Sequence, residues 1–107
     1  MKTMNTRQAL AVIHEEYDSD EGLLVLFRLS SDIEEERLEI FIRALKSVED
    51  YYQDKTLVEK DLVYKLLSFQ TTLNASERHW KVSRPQGLTA QAVYNINMAI
   101  YDIFASD

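Results

Sequence analysis

Two glycines and one proline in 107 residues leave this chain few ways to reverse direction sharply. A sheet protein of this length needs many tight turns, and glycine and proline supply most of them. The chain is therefore expected to spend its length in a few long helices. Apolar residues at 46% and charged residues at 28% suit a chain that builds a core rather than a disordered one. Size scaling leaves roughly 6,000 of about 18,000 Å² exposed after folding, enough burial for one self-supporting core. Residues 1–107 are expected to form a single helical domain.

Periodicity marks the helices. Ala9, Leu10, Ile13 and Tyr17 share one helical face, with Val12 beside them, so a first helix is predicted from about Asn5 to Tyr17. Asp18-Ser19-Asp20 interrupts it, because short polar side chains compete for backbone groups. Glu21 to Leu29 holds the longest apolar run, Leu23 to Phe27, which suits a buried helix or a buried strand. A lone strand has no partner here, and Asp18 with Glu21 has capping-box spacing, so helix is preferred. Ser31 with Glu34 has the same spacing and opens a third helix, whose stripe is Leu38, Phe41, Ile42, Leu45, Val48 and Tyr52.

Thr56 with Glu59 predicts the next start, with Leu62, Val63, Leu66, Leu67 and Leu73 inward, Phe69 at the flank and a stop near Asn74. A further helical turn around Ser76 to Lys81 is weighed, and Arg84-Pro85-Gln86-Gly87 reads as a turn. Thr89 is the expected cap of the last helix, Leu88 and Val93 its hydrophobic staple, and about Phe104 its end. The expected fold is all-α, an antiparallel bundle of four to five helices.

Chemistry is hard to place on this pattern. There is no Cys, hence no disulfide and no thiolate ligand, which suits a reducing compartment. Neither His14 nor His79 has a Glu three residues before it, the spacing that di-iron bundles use. Ser76 precedes His79 by three residues, a spacing better read as polar surface than as a nucleophile and its base. Gly22 and Gly87 are isolated, so no phosphate-cradling loop exists. No cofactor and no catalytic activity are expected. Five apolar residues span only about 8 Å as a helix, too short for a bilayer, and Met1 to Thr6 show no signal-peptide core. The expected location is cytoplasmic.

Two surfaces remain. The net charge is −6 and uneven: −7 over residues 1–54 and +1 over residues 55–107. Glu34, Glu35, Glu36 and Glu39 concentrate acid at the start of the third helix, joined by Asp18, Asp20 and Glu21. In the last helix Val93, Ile96, Ile100 and Ile103 form one stripe, and Tyr94, Met98 and Tyr101 form a second. A second stripe means either a helix buried on two sides or an adhesive outer face.

The favoured function is therefore protein–protein binding, as an adaptor, an inhibitor or an immunity- or antitoxin-like protein. Its partner would be another protein or a second copy of the chain, held through Tyr94, Met98 and Tyr101 and steered by Glu34, Glu35, Glu36 and Glu39. Bacteriocin immunity proteins and antitoxins work by such charge logic, an analogy of size and charge alone. The alternative is a nucleic-acid-associated regulator using Arg78, Trp80, Lys81 and Arg84, where cations would meet phosphates and the indole would stack on a base. Three cations are few for that task, and the preferred reading of Trp80 is a plug at one end of the bundle with Arg78 and Lys81 left in water.

Overall fold

A computed structural model of the protein describes residues 4–80 and 84–105. Five α-helices are present among them: α1 (Thr6–Asp18), α2 (Leu23–Leu29), α3 (Glu35–Tyr52), α4 (Lys60–Glu77) and α5 (Ala90–Phe104). No strand occurs among the described residues, so Glu21 to Leu29 resolves in favour of helix. None of these helices is long and apolar enough to cross a membrane. The radius of gyration, 13.5 Å, is close to the ~13 Å of a compact chain this long.

One cluster of the core gathers round Phe69 of α4. The Phe69 ring lies 5.9 Å from Tyr17 of α1, 6.3 Å from Phe27 of α2 and 4.9 Å from Phe41 of α3. Phe69 is fully buried, not at the flank of α4 as its spacing suggests, while Leu67, expected inward, is 48% exposed. Leu62, Leu66, Phe69 and Leu73 already fill the inner face, and Leu67 lies about 100° round the helix from Leu66. α4 also runs past Asn74 to Glu77, taking in Ser76, whose hydroxyl donates to the Phe27 carbonyl at 2.6 Å.

α1 and α3 are antiparallel. Near the start of α1, the Met4 carbonyl accepts from Ser47 Oγ at 2.8 Å. At its end, Glu16 takes a two-pronged contact from Arg37, Nη2 to Oε1 at 2.6 Å and Nε to Oε2 at 3.1 Å. That hydrogen bond holds the Arg37 guanidinium above its ordinary pKa. Glu16 Oε1 also accepts the Leu23 amide at 3.0 Å, so a carboxylate from α1 takes the place of the Asp18–Glu21 box at the start of α2. Gly22 permits this approach, because a Cβ there would meet the Glu16 carbonyl.

The expected antiparallel arrangement does not extend to α5, which runs beside α3 in the same direction. Residues 84–89, which precede α5, lie at the start of α3. There the Ile33 amide donates to the Gln86 carbonyl at 2.8 Å, and the Gln86 amide donates to Asp32 Oδ1 at 2.7 Å. At the far end Glu49 and Asp102 lie near enough to repel. The turn closes through the Leu88 amide and the Pro85 carbonyl at 3.2 Å, with Gly87 at φ 91°.

Helix starts differ from the capping signals. Thr89 caps α5 as expected, accepting the Ala92 amide at 3.0 Å. The Ser31 and Thr56 boxes do not form. α3 begins after Glu34 with no side-chain cap, because residues 32–33 are bonded to Gln86, and α4 begins after Glu59, also with no side-chain cap. A complete box instead starts α1: Asn5 Oδ1 accepts the Gln8 amide at 2.8 Å and Gln8 Oε1 accepts the Asn5 amide at 3.1 Å. Thr89→Ala and Asn5→Ala are each expected to cost about 1 kcal/mol in chemical denaturation. Thr56→Ala, at an exposed residue, is expected to cost no more than about 0.5 kcal/mol.

Candidate binding surface

α5 buries one stripe and exposes the other. Val93, Ile96, Ala99, Ile100 and Ile103 face the core, each no more than 4% exposed. Tyr94, Met98 and Tyr101 project outward at 59%, 36% and 60% exposure. α5 is thus an outer helix that carries aromatic surface the core does not use. On the side toward α4, Asn97 and Asn74 exchange amide hydrogen bonds, Nδ2 to Oδ1, at 2.9 and 3.3 Å. This paired amide seam closes that flank of α5.

The other flank meets α3 across a groove. Leu38, Ile42 and Ala92 form its floor, Glu35 and Glu39 stand on the α3 wall, and Gln91 and Asn95 on the α5 wall, enclosing about 340 Å³. A second hollow of about 260 Å³ adjoins it through Glu35 and Gly87, adding Asp32 and Glu34. Neither hollow has a Lys or Arg in its lining. Met98 lies about 60° round α5 from Asn95 and so borders the groove, while Tyr94 and Tyr101 lie about 100° and 120° from Asn95 on the next face of the helix.

Glu34, Glu35, Glu36 and Glu39 are all exposed. Glu34, Glu35 and Glu36 are in none of the ion pairs seen among the described residues, and Arg43 stands one turn beyond Glu39. The helix dipole favours Glu35 and Glu36 in the first turn of α3. Glu39, in the second turn, lies beyond most of that effect. Arg37, the cation between Glu36 and Glu39, is turned away to Glu16 and the Glu21 carbonyl. Of the other acids, Asp18 is bound by Lys65 at 3.5 Å.

Acid continues to the end of the seam. Partial burial, with Asp102 and Asp50 nearby, pushes the Glu49 carboxyl above its ordinary pKa, and Lys46 offsets this in part. A raised folded-state value means that ionised Glu49 opposes folding. Glu49→Gln should therefore raise the melting temperature slightly at pH 7. The gain should vanish once pH falls below the ordinary glutamate range, as paired melts at pH 7 and pH 3 would reveal.

The basic segment is tied into the fold. The Trp80 indole Nε1 donates to Ser30 Oγ at 2.8 Å, and its ring packs against the core. Ser30 itself ends α2 in the left-handed region, at φ 54°. The Arg84 guanidinium stands 5.1 Å from the Trp80 ring centroid and donates to Glu77 at 3.3 Å and the Leu88 carbonyl at 3.1 Å. Arg78 is exposed, and Lys81 lies outside the described residues.

His14 is occupied too: Lys65 Nζ lies 2.9 Å from its Nδ1, with Asp61 3.7 Å from the same ammonium. Among the described residues, no three His, Asp or Glu side chains gather as a metal-ion cluster would require.

No protein-family model, curated protein or solved structure matches the chain.

Sequence reasoning named the acidic residues and the tyrosine stripe separately. It missed the groove between α3 and α5, because Leu38 and Ile42 read as plain core residues and Gln91 and Asn95 belong to neither stripe of α5. The available signal was Gly87, whose positive φ lets the start of α5 sit against the start of α3.

Proposed function

We propose that this protein acts by binding another protein through the outer face of α5. The observation that carries this reading is the exposure of Tyr94, Met98 and Tyr101 on one side of a helix whose core stripe is already complete. Tyrosine and methionine are enriched at interfaces, and Tyr joins a large apolar body to a hydrogen-bonding tip. The acidic start of α3 and the groove beside it supply an attractive field for a basic partner. That field also selects against a second copy, since two chains of net charge −6 repel at close range.

The test is Tyr94→Ser with Tyr101→Ser. Circular dichroism should be unchanged. Partners captured by the wild-type chain should be lost from the double variant, with an affinity loss of about tenfold or more. Light scattering of the wild type alone should give the monomer mass; a dimer mass lost in the variant would redirect the proposal to self-association. Association should slow as salt is raised from about 50 to 500 mM. A flat salt dependence removes the steering role of Glu34, Glu35, Glu36 and Glu39.

A further inference from the structure

The groove between the first halves of α3 and α5 has features that restrict what it can hold. Its floor, Leu38, Ile42 and Ala92, is apolar, and its volume of about 340 Å³ lies at the lower end of the range of sites that engulf a ligand, about 300–1,000 Å³. Glu35 and Glu39, one turn apart, put two carboxylates along one wall, and no Lys or Arg lines the groove. An apolar floor beneath a row of carboxylates fits a long aliphatic stem that ends in a positive charge, the form of Lys and Arg side chains.

We infer that this groove receives a basic amphipathic segment of the partner, with apolar stems on Leu38, Ile42 and Ala92 and cationic heads on Glu35 and Glu39. The inference rests on the reading that the α5 side of the molecule binds protein, and it names the chemistry of what binds. The partner's segment lies along the seam, while flanking parts of the partner reach Met98 and the two tyrosines. An acidic or neutral segment is disfavoured, because Glu35 and Glu39 would be desolvated without a partner charge.

The probe is a 14-residue helical peptide of leucine and lysine with its leucines on one face. Two controls accompany it: the same peptide with Glu for Lys, and an oligolysine of equal charge. Nuclear magnetic resonance titration of the full chain should show shifts at the Leu38 and Ile42 methyls and the Ala92 amide with the leucine–lysine peptide. The glutamate peptide should produce none. Oligolysine should bind at least tenfold more weakly. Glu35→Gln with Glu39→Gln should weaken the leucine–lysine peptide at least tenfold, with circular dichroism unchanged because both residues are exposed.

Equal affinity for oligolysine, or no loss in the Gln variant, would mean diffuse attraction to an acidic surface and would overturn the inference. So would an absence of binding. Shifts confined to Tyr94, Met98 and Tyr101 would also overturn it while leaving the α5 face as the binding surface. Loss of binding in Tyr94→Ser/Tyr101→Ser tests that face independently of the groove.

Discussion

Phe69→Ala is expected to be the most damaging single substitution in this protein, costing about 3–5 kcal/mol. The ring is fully buried and touches aromatic rings from three other helices. Its removal deletes the transfer free energy of a large side chain and leaves a cavity where α1, α2, α3 and α4 meet. No single neighbour can close that space without leaving its own packing. Against a typical stability of about 5–15 kcal/mol, the loss should lower the melting temperature by at least about 12 °C. Phe104→Ala, at a 39% exposed ring, should cost no more than about 1–2 kcal/mol in the same experiment. Equal effects at the two positions would mean that the Phe69 ring cluster does not anchor the core.

Gly87→Ala should come next, at more than about 2 kcal/mol. Its φ of 91° lies in a region that residues with a Cβ rarely adopt, a strain of about 1–3 kcal/mol by itself. The new Cβ would also collide with the Ile33 carbonyl. Relief requires residues 85–88 to move away from residues 32–33, which strains the Ile33–Gln86 and Gln86–Asp32 hydrogen bonds that start α3 and α5 together. Hydrogen exchange at the Ile33 amide should therefore accelerate more than exchange in the middle of α4. Asp32→Ala should reproduce part of the effect, at about 1–2 kcal/mol, by leaving the Gln86 amide without its acceptor. A local opening at Gly87 should also weaken peptide binding, since Gly87 lines both hollows of the groove.

The two predictions differ in how far the sequence anticipates them. Helix content was legible because the apolar spacing of α1, α3 and α5 has no competing period and turn residues are scarce. Ala9, Ile13, Phe41, Leu45, Val93, Ile96, Ile100 and Ile103 are all buried where that spacing puts them. The position of Phe69 was not legible. α4 carries apolar residues over much of its circumference, so its own pattern does not say which side is deepest; three other helices decide that.

The direction of α5 was hidden for a related reason. It follows from hydrogen bonds between Asp32, Ile33 and Gln86, residues more than fifty positions apart, and capping rules see only three or four positions. The same bonds displaced the expected Ser31 cap. Glu16 is another such case: its role at the start of α2 needs Arg37, which no local pattern connects to it. The candidate site was legible by composition and not by shape. Acid and aromatic residues announced themselves, while the hollow beside the acid depends on α3 and α5 starting from the same end.

The central claim is that the tyrosine face of α5 is spare to the fold and available to a partner. Thermal melting of Tyr94→Ser/Tyr101→Ser beside the wild type tests it most directly. The structure predicts one cooperative transition within about 5 °C of wild type, since both rings are about 60% exposed and the stripe of Val93, Ile96, Ile100 and Ile103 is untouched. A melting temperature lower by 15 °C or more, or loss of the cooperative transition, would contradict it and assign both tyrosines to the core.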